Sequence, residues 1–265
     1  MVKEYINSVS FIKENESYLN TNKYLSAFFF YDALIFTEAP KKNFMIKVVD
    51  KDKTLLAMKL EPFNLLLFGN KECLSELLQY LNTNNYEFDG ILCSCDNGDE
   101  LIKISKSIIN REYYEDMAMD FMETKEYTSP SSNDVEIASL DDLDTIYEYH
   151  CNFFRDCGLS DQVDINKIKD SINTFRLIKE DGIIKSIVRV VNYTDESMKI
   201  SAVYTKPEYR GMGYARKLVN YAKNEIIAQG KIATLNVDKK NPISNHLYSS
   251  LGFKKVFSQG IYKQK

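Results

Sequence analysis

The sequence has little of what marks non-globular chains. Only 10 glycines and 5 prolines occur among 265 residues, which excludes the collagen-like, disordered and low-complexity classes. The five cysteines are an odd number in a chain of this length, so they do not form the framework of a small disulfide-rich protein. We therefore expect a reducing compartment.

Long apolar runs and runs of one charge sign are also missing. The most apolar early stretch, Ala27 to Phe36, is interrupted by Asp32 and is shorter than the roughly 20 residues that span a bilayer. Lys and Arg number 34 against 38 Asp and Glu, a formal charge of −4. A nucleic-acid partner would need a basic face. We therefore expect no membrane span and no nucleic-acid partner. The charged first residues are atypical of a signal peptide, which favours a cytoplasmic protein.

The distribution of polar residues predicts two units, at 1–128 and 133–265. Ser, Thr, Pro and Asn cluster without an apolar period at 124–134, which indicates a linker. Before it we predict strands at 43–50, 54–60 and 63–68, a helix at 71–81, a strand at 88–95 and a helix at 99–109. After it we predict a helix at 140–154, strands at 174–179, 183–193 and 198–205, a helix at 213–229, a strand at 231–237, a helix at 243–250 and a strand at 253–262.

The most informative stretch runs from Val203 to Arg216 and reads VYTKPEYRGMGYAR. It predicts a strand, a loop with Gly211 and Gly213, and the start of a long helix, whose first N–H groups can hold a phosphate. A P-loop would need Gly-Lys-Ser/Thr after the loop, and a dinucleotide fingerprint would need a third glycine where Arg216 stands. Both of these phosphate-binding classes are therefore excluded.

Two motifs resemble those of a known family. Arg210-x-x-Gly213-x-Ala215 matches the Arg/Gln-x-x-Gly-x-Gly/Ala signature of the GNAT acetyltransferases. The stretch from Asn241 through Tyr248 to Phe253 looks like the Asn…Leu-Tyr-x-x-x-Gly-Phe ending of the same family. The resemblance covers 133–265, and the whole layout is similar to a two-part subgroup with a degenerate first unit. It implies an α/β fold of two GNAT-like mixed-sheet units flanked by helices, with the C-terminal unit intact.

The resemblance also implies the roles of individual residues. The co-substrate would be acetyl-CoA, and Tyr248 would protonate the departing thiolate, a role that suits a phenol with a reference pKa near 10. Asp238 is a candidate general base, because Asn236 occupies the position at which some members carry a glutamate. A water chain, or an amine that arrives neutral, is an equal alternative. The residues implied to bind the cofactor are Val203, Tyr204, Thr205, Arg210, Gly211, Met212, Gly213, Tyr214, Ala215, Arg216 and Asn241.

The implied activity is direct transfer of an acetyl group to an amine of a small molecule or peptide, and the acceptor, the acyl length and the oligomeric state stay open. The alternative is a catalytically weak acyl-CoA-binding or interaction protein. The acidic balance favours a cationic acceptor, and Tyr147, Phe153 and Phe154 are candidates for the acceptor pocket. We expect His150 to be a core or rim residue, and the cysteine spacing predicts no metal site.

The first unit lacks the features of a phosphate loop. The turn Gly69-Asn70-Lys71-Glu72 has one glycine and no arginine, and Glu72 would repel a phosphate at the start of the following helix. We therefore predict that this unit binds no CoA.

Overall fold

A computed structural model of the chain describes residues 1–128, 134–158 and 163–265. Contacts within the chain define two compact units, the first comprising Met1–Asp120 with Phe257–Lys265 and the second comprising Phe121–Val256. This division differs from the predicted 1–128 and 133–265 chiefly at the C-terminus, where the last strand belongs with the first unit. Within the predicted linker, residues 129–133 lie outside the described residues.

The first unit contains most of the N-terminal half. Its elements are β1 (Val2–Tyr5), α1 (Ser8–Leu19), α2 (Ala27–Leu34), β2 (Phe44–Asp50), β3 (Lys53–Lys59), β4 (Leu65–Gly69), α3 (Leu74–Thr83), β5 (Gly90–Ser94) and α4 (Cys95–Ile109). Strand β6 (Tyr113–Thr124) begins in this unit and ends in the second.

The second unit begins with the end of β6. Its further elements are β7 (Val135–Ile137), α5 (Leu143–Asp156), α6 (Ile165–Asp170), β8 (Phe175–Glu180), β9 (Ile183–Thr194), β10 (Ser197–Thr205), α7 (Tyr214–Ala228), β11 (Ile232–Asp238) and α8 (Pro242–Ser250). Strand β12 (Lys254–Gln264) begins in this unit and ends in the first.

The same pairing pattern occurs in both units. In the first, β1, β2, β3 and β4 pair antiparallel in that order, β4 pairs parallel with β5, and β5 pairs antiparallel with the end of β12. In the second, β7, β8, β9 and β10 pair antiparallel, and β10 pairs parallel with β11. Each parallel pair is joined by a crossover that contains a helix, α3 in one unit and α7 in the other, as parallel strands require.

The sheet of the second unit is covered on both faces. Val188 and Val190 of β9 pack with the apolar stripe of α7, whereas Ile187 packs with Ile146 and Tyr149 of α5. Because successive side chains of a strand point to opposite faces, α5 and α7 lie on opposite sides of the sheet. Helix α7 begins after Gly213 and ends before Gly230, and both glycines have positive φ angles.

The predicted α/β class is confirmed, and each predicted strand and helix is present with its ends within four residues of the prediction. The prediction missed β1, α1, α2, β6, β7 and α6. Among the described residues, no helix has both the length and the apolar character that a membrane crossing needs.

Candidate functional site

Strands β10 and β11 separate along their length. Their parallel pairs run from Ser197–Ile232 to Lys199–Thr234, although β10 continues to Thr205 and β11 to Asp238. The pairing of β10 with β9 shifts register between Ser201 and Tyr204, and Ala202 has a φ of 46°. Such a bulge bends a strand away from its neighbour. The second half of β10 therefore presents backbone groups to a cleft between the two strands.

The loop after β10 is open to solvent. Gly211 and Gly213 have φ angles of +78° and +86°, and a Cβ placed on either would meet no described atom within 4 Å. Met212 between them is 61% exposed. Such φ angles suit glycine, which explains why the loop carries two of them.

The start of α7 has the electrostatic character that favours an anion. No side chain caps its N-terminus within the described structure, and its first turn holds no acidic residue. The first N–H groups of a helix have no partner within the helix, and the positive end of its dipole lies among them. An anion between the cleft and α7 would therefore meet donors and positive potential.

The two arginines of the predicted motif are tied to the protein. Arg210 Nη2 donates to Asp156 Oδ2 over 2.7 Å and its Nε donates to the carbonyl of Thr205 over 3.0 Å. Arg216 Nη1 donates to Ser250 Oγ over 2.6 Å. Arg210 thus connects the loop with the end of α5, and Arg216 connects the start of α7 with the end of α8.

The side chains of the other predicted cofactor residues are largely occupied. Tyr204 is buried against Tyr149, with ring centroids 5.2 Å apart, and Thr205 Oγ1 lies 2.8 Å from Ser186 Oγ. Tyr214 donates from its hydroxyl to Glu180. Val203 packs at the edge of the α7 core, and Ala215 has no polar side chain. A ligand here would meet mainly the backbone.

Tyr248 lies on α8 and is buried, with its ring edge-on to Phe253. Burial raises the pKa of its phenol to about 12, the charge of a Cys157 thiolate adds to this, and a hydrogen bond with Ser244 partly offsets it. Tyr248 therefore keeps its proton at neutral pH. Cys157 directly follows α5, so the end of that helix lies near Tyr248 as well as near Arg210.

Asp238 and Asn241 stabilise the turn between β11 and α8. Asp238 Oδ1 accepts from the N–H of Lys240 over 2.8 Å, and Asn241 Oδ1 accepts from the N–H of Ser244 over 3.0 Å as the cap of α8. The cap uses one lone pair of the Asn241 amide oxygen, and the amide nitrogen of this side chain can donate to a ligand. Asn236, which lies on β11 two residues before Asp238, has a buried Oδ1 without a hydrogen-bond partner in the described structure.

Sequence reasoning named Tyr147, Phe153 and Phe154 of α5 as candidates for the acceptor pocket but missed the contribution of the C-terminal end of this helix. Asp156 and Cys157 follow an ordinary amphipathic pattern, and Asp156 is 54 residues from its partner Arg210. Burial, with the charges of Asp156 and Asp238, raises the pKa of the Cys157 thiol. The segment around Asp156 has no local motif that could have identified it. Within the described ranges, no three His, Cys, Asp or Glu side chains form a group suited to a metal ion.

Comparisons with known proteins agree with this architecture. A family model described as FR47-like protein matches residues 189–261, from β9 into β12. No curated protein matches the sequence.

Solved structures resemble the chain over most or all of its length. An acetyltransferase of the GNAT family from Colwellia psychrerythraea has a TM-score of 0.64 at 10% identity, covering 100% of this chain and 99% of its own. A GCN5-related N-acetyltransferase from Sphaerobacter thermophilus has a TM-score of 0.65 at 12% identity, covering 100% and 95%. One from Kribbella flavida has a TM-score of 0.52 at 11% identity, covering 82% and 88%. At such identities these likenesses concern the fold.

Proposed function

We propose that the chain is a GNAT-type acyltransferase and that it transfers an acetyl group from acetyl-CoA to an amine, which the FR47-like match and the GNAT-like fold support. The observation that carries the proposal is the open loop at Gly211 and Gly213, which joins a separated strand end to an uncapped helix start. A cofactor with an extended arm and a pyrophosphate fits this combination, because the arm needs free strand groups and the pyrophosphate needs free N–H donors.

Most of the cofactor contacts would come from the backbone. The N–H groups between Gly211 and Arg216 would bind the pyrophosphate, and the β10 backbone from Val203 to Thr205 would pair with the pantetheine arm. Arg210 would contribute chiefly by positioning the loop, because its guanidinium already bonds to Asp156 and to the Thr205 carbonyl. The amide nitrogen of Asn241 would contact the arm near the start of α8.

The proposed reaction is a direct transfer. A neutral amine attacks the thioester carbonyl, and its C–N bond forms as the C–S bond breaks. Backbone N–H groups near Val203 to Thr205 stabilise the oxyanion. The phenol of Tyr248 gives its proton to the departing sulfur, and the amine proton passes to water or to Asp238.

The N-terminal unit is proposed to bind no CoA. Its corresponding loop is filled by the protein, since a Cβ on Gly69 would lie 2.2 Å from the Thr54 carbonyl oxygen and 2.7 Å from the Tyr18 hydroxyl. Asn70 Oδ1 accepts from the Thr54 N–H over 3.0 Å and from the Tyr18 hydroxyl over 3.2 Å. Atoms of the protein thus crowd this turn, unlike the open surroundings of Gly211 and Gly213. We propose that this unit has a structural role in a two-unit chain.

The second candidate function is acyl-CoA binding with weak or no turnover. It is favoured by Asn236, whose amide cannot accept the proton of an ammonium group, and by the use of Asp238 in a turn. An assay that separates cofactor binding from turnover distinguishes the two functions.

We expect Tyr248→Phe to lower kcat for CoA release by about 10²–10⁴-fold, the range of a general acid, with little change in acetyl-CoA affinity. CoA release is measured with a thiol reagent against a panel of primary amines, and affinity is measured by calorimetric titration. Tyr221→Phe on α7 is the control, because it removes a phenol hydroxyl outside the proposed site. An unchanged kcat in Tyr248→Phe would refute the acid role, and acetyl-CoA binding without turnover of any amine would favour the second candidate.

A further inference from the structure

A cavity of about 430 Å³ lies on the α5 side of the second unit. Its apolar wall is formed by Phe154 of α5, Ile168 of α6 and Val163, which lies just before α6. Arg189 of β9 and Lys167 of α6 bring two positive charges to the same cavity. A pocket of this volume with a few polar groups on an apolar wall is typical of a small-molecule site.

Arg189 is half-buried, and its side chain is held by neutral groups of the described structure. Its Nε donates to Thr174 Oγ1 over 3.1 Å, its Nη2 donates to Ser171 Oγ over 2.9 Å, and its Cζ lies 5.3 Å from the centroid of the Phe175 ring. No carboxylate pairs with it among the described residues. Burial of the guanidinium lowers the pKa of Arg189. A desolvated cation held by neutral hydroxyls would be stabilised by an anion that enters the cavity.

His150 supplies a second unsatisfied group. It is 8% exposed, and its Nδ1 has no hydrogen-bond partner within the described structure. Its ring lies edge-on to Phe154 and Phe175, at centroid distances of 5.1 and 5.7 Å. The expectation that His150 is a core or rim residue accounts for its burial but leaves this unpaired nitrogen unexplained.

The remaining titratable group of the wall, Asp164, already has a partner. Its Oδ1 accepts from the N–H of Asn166 over 2.9 Å and caps α6. The lining of the cavity thus carries the positive charges of Arg189 and Lys167 and the negative charge of Asp164. This local balance is opposite in sign to the net charge of the chain, which favoured a cationic acceptor.

The cavity lies next to the proposed site of acyl transfer. Arg189 is the register partner of Ser201, and Ser201 directly precedes the bulge at Ala202, from which the proposed pantetheine strand begins. Arg189 and Ile187 share a face of β9, and Ile187 packs in the α5 core. An acceptor in the cavity would therefore approach the thioester from the α5 side.

We propose that this cavity binds the carboxylate of the acceptor, which makes the acceptor an amino acid or a related amine that carries a carboxylate. The guanidinium of Arg189 binds the carboxylate with support from Lys167, and Phe154, Val163 and Ile168 contact an apolar side chain. The identity of the ligand as an acceptor rests on the proposed function, whereas the binding of a carboxylate does not.

Binding of matched amines tests the proposal without turnover. L-phenylalanine, phenethylamine and L-phenylalaninamide are titrated calorimetrically into the full chain saturated with CoA, and L-leucine and isoamylamine form a second pair. We expect each amino acid to bind roughly ten- to a hundredfold more tightly than its amine, because the carboxylate adds a charge-assisted hydrogen-bonded contact. L-phenylalaninamide also lacks the carboxylate and should bind as weakly as phenethylamine. Arg189→Gln should remove this preference, and Arg189→Lys should restore part of it.

A pair of lysine variants provides a control that leaves the buried groups in place. Lys167→Gln should weaken L-phenylalanine binding severalfold, whereas Lys169→Gln, two residues further along α6 and outside the cavity lining, should leave it unchanged. Equal binding of the amino acids and their amines, a preference that survives Arg189→Gln, or no binding of either amino acid would overturn the proposal. Arg189-dependent binding of L-phenylalanine without CoA release from acetyl-CoA would uphold the carboxylate site and refute the role of its ligand as the acceptor, and the amine panel would separately decide the proposed acyl transfer.

Discussion

Replacing Gly213 with valine puts a branched side chain into the loop before α7. The substitution strains the backbone and also blocks access to the first N–H groups of the helix, and a matched variant separates these two effects. Gly213 has a φ of +86°, a region in which an L side chain costs about 1–2 kcal/mol. Gly230, at the other end of α7, has a φ of +74°. A Cβ on either glycine meets no described atom within 4 Å. Gly230→Val therefore has a similar backbone cost without altering the loop.

The two variants should differ in their response to acetyl-CoA. At one hundred times its dissociation constant, a ligand stabilises the folded protein by about 2.7 kcal/mol. For a chain of this size, that corresponds to a rise in Tm of roughly 5–11 °C. Gly230→Val should keep this rise, although its Tm starts lower. Gly213→Val should lose it, because the isopropyl group occupies the space through which a pyrophosphate would reach the first N–H groups of α7.

The assay is scanning calorimetry of the parent and both variants with and without acetyl-CoA, supported by isothermal titration. Parent-like affinity in Gly213→Val would refute the assignment of the loop. Equal loss of affinity in both variants would attribute the effect to backbone strain and would refute the argument from access.

Three further predictions use other parts of the chain. Gly98→Ala should lower the free energy of unfolding by roughly 1–3 kcal/mol in urea denaturation, because the added Cβ would lie 1.8 Å from Cζ of the buried Tyr262 ring. An unchanged midpoint would contradict this close packing. Calorimetric titration should give one acetyl-CoA site, which Arg210→Glu should abolish by adding negative charge to the loop. Two sites, or one that survives the substitution, would refute a single site in the second unit. Burial, with the charge of Arg189, lowers the pKa of His150 to about 4, whereas an unfolded imidazole titrates near 6.5. The unfolded state then binds more protons between these values, so stability should fall as the pH is lowered from about 6.5 to about 4. His150→Asn should show a smaller fall, and an identical pH profile would contradict the assignment.

The predicted and observed elements agree best where the signals are local. Pro207, the two loop glycines and the apolar spacing that follows them predicted a strand, a loop and a helix at 213–229, and α7 occupies Tyr214–Ala228. The need for glycine at positive φ and the period of a helix depend on neighbours along the chain. The family resemblance rests on this same segment and on the Asn241 to Phe253 ending, and the α/β fold followed from both.

Strand β6 illustrates what local reasoning cannot find. Its twelve residues include acidic side chains that interrupt any apolar alternation. Distant residues satisfy two of them: Lys263 Nζ lies 2.7 Å from Asp116, and Ser258 Oγ donates to Asp120 over 2.6 Å. The partners are separated by more than a hundred residues in sequence, so only the folded chain accounts for a polar strand at this place.

The sequence by itself determined the α/β class, the glycine loop and the helix that follows it, because each depends on residues that are close along the chain. Tertiary structure alone decided which side chains meet around that loop. It brought Asp156 to Arg210, occupied Asp238 and Asn241 in a turn, and placed His150 and Arg189 in one cavity wall. Charge and burial at a site depend on contacts between distant segments, and those contacts exist only once the strands and helices have packed.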